Sequence, residues 1–292
     1  VVNLMAERTL RGKLDGVIVN SGCANAYTGK RGFEDAKTMA AIGAEALGID
    51  EMNCGVASTG VIGRYLDLDL IRRQTAAVAP NLAHSGAAED AAARAIMTTD
   101  TVPKHALVRG DGFTVAGICK GSGMIAPNMG TMLSFVYTDA EVSADVLREC
   151  LRTAVNRSLN RVVVDGDEST NEHIGEAGKV DTAKFAAALE EACIQLAKQI
   201  AADGEGATKL LECTVTGAAT TDIAKTVAKS VICSSLTKAA MFGSDANWGR
   251  VLCAIGYSGA DVDVSKVEVS FISSKGEIVV CENGAGIDFS EE

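Results

Sequence analysis

The sequence predicts an α/β protein on three observations. Short apolar runs of strand length alternate with helix-periodic runs through much of the chain, a G-D-G turn at residues 110–112 separates two strand-like runs, and residues 182–202 keep helical spacing throughout. Neither an all-helical nor an all-β design fits this alternation.

In chain order, residues 15–20 (DGVIVN) read as a buried strand, followed by a polar, glycine-containing loop over residues 21–32. From residue 33 to 47 (FEDAKTMAAIGAEAL) the apolar residues recur at helical spacing, and Gly48 supplies a stop. Residues 53–58 read as a second strand that ends in the glycine-flanked turn 59–63. Helices are expected over residues 68–79 and 87–96. Residues 105–109 and 113–118 flank the G-D-G turn as a hairpin, and residues 132–137 form a further strand. The long helix 182–202 has Asp181 as its N-cap and ends at Asp203-Gly204. Residues 267–272 and 277–280, joined by S-S-K-G, make the last hairpin. No Pro- or Ser-rich linker marks a domain boundary.

Composition narrows the function classes. The 292 residues are 47% hydrophobic, enough for a large core, and the net charge is −11 with no basic run of five or more, which argues against a nucleic-acid partner. The nine cysteines include no C-x-x-C pair, so neither a metal site nor a secreted disulfide framework is expected; buried free thiols in a reducing cytosol fit better. No apolar stretch reaches the ~18 residues of a membrane helix and no signal-peptide pattern opens the chain, so a cytoplasmic protein without a membrane partner is expected.

The most informative stretch is K-G-S-G-M-I-A-P-N-M-G-T-M-L, residues 120–133. Glycines and a proline lead to a Gly130-Thr131 bond directly before an apolar strand. Such a junction suits an N-to-O acyl shift, because Gly130 tolerates strained backbone and presents no Cβ to block attack on its carbonyl by the Thr131 hydroxyl. Hydrolysis of the ester would free Thr131 as a new N-terminus. Its α-amine, with a reference pKa of about 8, could then act as base for its own hydroxyl. Catalysis would need no histidine, and His84, His105 and His173 all lie outside the expected site.

Residues 120–131, with V-A-S-T-G-V-I-G at 56–63, closely resemble the glutamate N-acetyltransferase (ornithine acetyltransferase) family of arginine biosynthesis. Matching segments follow in family order: N-S-G-C-A-N (20–25), I-M-T-T-D-T (96–101), D-G-D-E-S-T-N (165–171), D-G-E-G-A-T-K (203–209) and F-G-S-D-A-N-W-G-R (242–250). The resemblance spans nearly the whole chain. It implies β-sheets layered between α-helices in two lobes, the ornithine acetyltransferase/aminopeptidase-like N-terminal-nucleophile fold. It also implies self-cleavage between Gly130 and Thr131 into an α-chain segment, 1–130, and a β-chain segment, 131–292, that stay together as a heterodimer within a higher oligomer.

The implied reaction moves acetyl from N-acetyl-L-ornithine to L-glutamate through an acetyl-Thr131 ester, with ping-pong kinetics. By the same resemblance Thr59 and Gly60 line the oxyanion hole, and Thr98, Lys120, Thr131 and Glu205 contact substrate. Lys120 can meet a substrate carboxylate and Glu205 a substrate ammonium. Asn25, Asp167, Asn247 and Arg250 lie in matching motifs and read as turn-capping or structural residues. No metal or cofactor is implied, apart from acetyl-CoA as a co-substrate in a bifunctional form. Two departures stand out: Gly130 replaces the usual Ala before the nucleophile, and segments that the family carries before Val1 and after Glu292, the latter with substrate contacts, are expected to be missing. Alternatives are the bifunctional enzyme, a hydrolytic aminopeptidase relative and a non-enzymatic binding protein. The Lys120 and Glu205 pair argues against hydrolysis, and a binding protein would leave the Gly130-Thr131 bond intact.

Overall fold

In the computed structural model, which describes residues 1–126, 132–166 and 181–290, the chain divides into two compact units, Val1–Gly206 and Ala207–Glu292. The α/β class is as expected. The expected division at the Gly130-Thr131 bond falls within the sequence range of the first unit, at residues outside the described ones.

The first unit opens with helix α1 (Val2–Thr9), which buries Leu4, Met5 and Arg8. Strand β1 (Gly16–Cys23) pairs in parallel with β2 (Cys54–Val61), and helix α2 (Gly29–Leu47) makes the crossover between them. Gly48 closes α2 in the left-handed conformation at φ 66°, as its position in the sequence predicts. Met39, Ala40 and Ile42 of α2 pack with Leu4, Met5, Val56 and Ile71, the last from helix α3 (Leu68–Val78), into one hydrophobic core.

Helix α4 (Gly86–Ala95) precedes an antiparallel meander of β3 (Lys104–Arg109), β4 (Thr114–Lys120) and β5 (Leu133–Thr138). Helices α5 (Ala144–Arg157) and α6 (Thr182–Ala202) cover one face of this sheet, where Val115 and Cys119 join Leu147, Leu151, Phe185, Leu189 and Leu196. Ile118 instead packs with Ala93 of α4 and Ile96, so helices cover the sheet on both faces. Alternation along β4 produces this layering, because successive side chains leave opposite faces of a strand.

The second unit carries helices α7 (Thr221–Cys233), α8 (Ser235–Phe242) and α9 (Trp248–Gly256) and a three-stranded antiparallel sheet. Its strands are β6 (Val269–Ser273), β7 (Gly276–Glu282) and β8 (Ala285–Gly286). Val227, Val231, Val251, Ile255, Val269 and Val280 form its core. Among the described residues, no helix is long and apolar enough to cross a membrane.

Two loop expectations are corrected. Strand β1 continues to Cys23 and β2 to Val61, so the expected loop over residues 21–32 and turn over residues 59–63 are both shortened by strand. The register pairs Ser21 with Thr59 and Gly22 with Gly60. Small polar residues hide the strand from an apolar pattern, whereas the parallel ladder needs only their backbone groups. Helix α2 likewise begins at Gly29, four residues early, because its first turn (GKRG) carries no apolar stripe.

Candidate active site

Segment 120–133, which holds the expected nucleophile, connects two register partners: Lys120 at the end of β4 and Leu133 at the start of β5. Gly130 and Thr131 lie outside the described residues, as do Asp167 and His173. Within the segment, the stretch 121–126 is held by hydrogen bonds at Gly121, Ser122, Met124 and Ile125. The Gly121 amide donates to Asp100 Oδ1 (2.5 Å), and Gly121 itself has φ 153°, which suits glycine. Ser122 Oγ donates to the Asp203 carbonyl (2.7 Å), and the Ser122 carbonyl accepts from the Glu205 amide (2.9 Å). The amides of Met124 and Ile125 donate to the two carboxylate oxygens of Asp165 at 2.5 and 2.8 Å.

Asp100 is the centre of this arrangement. Its fully buried carboxylate accepts from Gly121, from the Thr98 amide (3.1 Å) and from Lys104 Nζ (2.8 Å), and Lys120 Nζ lies 4.0 Å away. Lys104, also fully buried, reaches Asp203 Oδ2 at 2.5 Å, and Asp203 in turn accepts from the amide and hydroxyl of Thr101. Two ammonium groups and two carboxylates thus share a buried cluster, where pairing is required to offset desolvation.

The electrostatics follow from these contacts. Burial raises the Asp100 carboxyl, but the Gly121 amide, the Lys104 ammonium and the Thr98 amide outweigh it and hold the group below the ordinary aspartate value. Asp203 is lowered too, with burial opposed by Lys104 and Thr101. Burial pulls the Lys120 ammonium below the usual lysine value; Asp100 opposes this pull, while Lys104 adds to it.

Of the residues expected to contact substrate, Thr98, Lys120 and Glu205 come together around this cluster. Thr98 is exposed with its amide on Asp100, and Lys120 is only 5% exposed. Glu205 is exposed just beyond α6, and its carboxylate covers Gly123 so closely that a Cβ there would lie 2.4 Å from Oε2. Thr59 and Gly60 sit at the end of β2. Gly60 has φ 124°, and a Cβ there would lie 2.4–2.7 Å from the backbone of Gly22 and Cys23, so two glycines meet where β1 and β2 end. Ser21, the register partner of Thr59, donates its hydroxyl to the Ala95 carbonyl (2.7 Å) at the end of α4, three residues before Thr98. The path from Thr59 and Gly60 to the charged cluster is therefore indirect.

Asn25 and Asn247 have the structural roles expected of them. Asn25, buried at φ 50°, donates to the Gly32 carbonyl and accepts from the Thr28 hydroxyl. Asn247 caps α9 by accepting from the Arg250 amide (3.2 Å), while the Arg250 guanidinium donates to the Leu236 carbonyl. Sequence reasoning missed Asp100, Lys104, Ser122 and Asp165 and saw Asp203 only as the end of a helix. The available signal was position: Asp100 and Asp203 each lie two residues from an expected substrate contact, within the segments 96–101 and 203–209.

Fold and site together define an α/β protein whose charged residues gather around the loop leading to a Gly-Thr bond. The chain belongs to the ArgJ family, whose model matches residues 1–292. It is 48% identical to the arginine biosynthesis bifunctional protein ArgJ of Halalkalibacterium halodurans, over 97% of this chain and 71% of that protein. It is 44% identical to the glutamate N-acetyltransferase of Methanothermobacter thermautotrophicus, over 96% of this chain and 72% of that protein. A crystal structure of the ArgJ protein from Bacillus halodurans aligns with 52% of this chain and 76% of its own at 42% identity, with a TM-score of 0.47.

Proposed function

We propose that this chain is a glutamate N-acetyltransferase of arginine biosynthesis, moving acetyl from N-acetyl-L-ornithine to L-glutamate through Thr131 after self-cleavage at Gly130-Thr131. The Thr131 hydroxyl, deprotonated by its own α-amine, attacks the acetyl carbonyl. The C–N bond breaks, the ornithine amine leaves with a proton, and an acetyl ester remains on Thr131. The glutamate amine then attacks the ester, forms the new amide and returns the proton to the threonine oxygen. Thr59 and Gly60 stabilise the oxyanion in both steps. Loss of one such donor typically costs about 100- to 1,000-fold in rate.

The observation that carries this reading is the placing of opposite charges at one short loop, a cation at its start and a carboxylate reaching over it from the stretch after α6. Lys120 holds a buried cation beside Asp100 at the end of β4, and Glu205 holds a carboxylate over Gly123, three residues further on. A free amino acid offers a carboxylate and an ammonium, and this pair matches both. The transfer itself needs no metal or cofactor. Cleavage would sever the β4–β5 connection, but the ladder from Val115/Thr138 to Lys120/Leu133 and the core beneath it would keep the fragments together as a heterodimer. The setting proposed is the cytoplasm.

The test is expression of the full-length protein, a denaturing gel and N-terminal sequencing of the fragments. Two fragments are expected, one beginning at Thr131, and Thr131→Ala should abolish both cutting and transfer. A single uncut chain with full activity would refute the mechanism. Assays with N-acetylornithine, with acetyl-CoA and with water as the only acceptor separate the transferase from its bifunctional and hydrolytic relatives.

A further inference from the structure

We infer that Asp100 is a positioning residue of the acyl-transfer site, holding the Lys120 ammonium and the amides of Thr98 and Gly121 in one arrangement while Lys104 clamps it to Asp203. The inference rests on the acyl-transfer reading above. It begins from the burial of a carboxylate whose contacts, apart from Lys104, lead to the expected substrate-binding residues or to the loop that precedes the Gly130-Thr131 bond. Asp100 Oδ1 accepts from Gly121, the first residue of that loop, and from Lys104; Oδ2 accepts from Thr98 and faces Lys120. No other described side chain touches both Thr98 and Gly121 in this way.

Lys104 makes this arrangement rigid. Its ammonium is fully buried between Asp100 and Asp203, and the Asp203 backbone carbonyl holds Ser122. Strand β3, the loop after β4 and the end of α6 are thereby locked to a single carboxylate. Among the described residues, the groups facing Lys120 are Asp100, Lys104 and the adjacent Cys119 thiol, which burial keeps neutral. Asp100 is the negative group among them. Its removal would take that carboxylate from the Lys120 ammonium and leave Lys104 beside it, and a cation needed for the substrate carboxylate would be lost at lower pH.

The test compares Asp100→Asn with Asp203→Asn in the self-cleaved enzyme. Both leave Lys104 with a single carboxylate, but only Asp100→Asn alters the contacts to Lys120, Thr98 and Gly121. Expected for Asp100→Asn is a roughly 10- to 100-fold loss of kcat/KM and an alkaline limb of the pH profile displaced by about one unit toward lower pH. Asp203→Asn should keep the limb in place. Equal losses in the two variants with both limbs at the wild-type position would overturn the inference. If Asp100→Asn is recovered only as aggregate, Asp100→Glu gives the readout, because it keeps the charge but moves the carboxylate by one methylene. An unmoved limb with a raised KM is then expected, and a wild-type KM would overturn the inference. Thr131→Ala, assayed in parallel, separates the two levels. Transfer surviving in that variant refutes the acyl-transfer reading, and the inference falls with it. Transfer lost there while Asp100→Asn leaves the limb unmoved refutes the inference alone.

Discussion

Gly60→Ala should be far more damaging than a methyl group usually is, and the reason lies in the β1–β2 pair. Gly60 has φ 124°, a conformation that L-residues rarely adopt, and the added Cβ would lie 2.4 Å from the Gly22 carbonyl carbon, 2.6 Å from Gly22 Cα and 2.7 Å from the Cys23 amide nitrogen. All three are backbone atoms of the paired strand, so no side chain can swing away to relieve the contact. Backbone strain of about 1–3 kcal/mol and overpacking of about 1–3 kcal/mol give a total of about 2–6 kcal/mol. For a unit of this size that is a melting temperature roughly 5–20 °C lower. Gly63→Ala is the matched control. Gly63 also has positive φ, 78°, but no atom lies within 4 Å of its built Cβ, so only the left-handed penalty of about 1–2 kcal/mol applies. Thermal unfolding followed by circular dichroism measures both variants side by side. If Gly60→Ala melts together with Gly63→Ala, the close approach of β1 and β2 at these glycines is wrong.

Three further outcomes follow from the same structure. Gly123→Ala should leave stability nearly unchanged, because the clashing atom is the flexible end of Glu205, but it should raise the KM of the ammonium-bearing substrates by displacing that carboxylate; an unchanged KM would remove Glu205 from binding. Asp100 and Asp203 are both lowered in the folded state, so the stability they carry is fully present above the ordinary aspartate value of about 4 and is lost as pH falls through their lowered values. Denaturant midpoints should therefore drop below pH 4, and Lys104→Met should be less stable at neutral pH with a shallower acid dependence; an equally steep acid loss in that variant would contradict the cluster. A thiol reagent applied to the native protein should label the exposed Cys233 and Cys253 and spare Cys119 and Cys193, whose thiols burial pushes up, to about 12 for Cys193; peptide mapping showing early modification of Cys119 or Cys193 would contradict their burial.

Elements whose local chemistry is self-sufficient were legible in the sequence. Helix α6 has its Asp181 cap and an unbroken apolar stripe, and the β3–β4 hairpin is announced by Gly110-Asp111-Gly112. The strand ends that carry Thr59 and Gly60 were read as a turn, because parallel pairing with Ser21 and Gly22 is a long-range fact that a local pattern of small polar residues does not express. Helices α1, α5, α7, α8 and α9 went unread. The two shortest, α1 and α8, span eight residues each, and packing against the rest of the unit stabilises such helices more than propensity does. Thr98, Lys120 and Glu205 were named through family motifs, and their convergence around one buried carboxylate needed the fold. Asp100, Lys104 and Asp203 look like ordinary surface charges in sequence; only burial makes their pairing obligatory.

The most direct test of the acyl-transfer account is mass spectrometry of the enzyme trapped with N-acetylornithine in the absence of glutamate, followed by peptide mapping. The account predicts a two-carbon adduct on the side-chain oxygen of Thr131, in a peptide that begins at that residue, and its disappearance when glutamate is added. An acetyl group on any other side chain, or an unmodified Thr131 in enzyme that turns over, would contradict it.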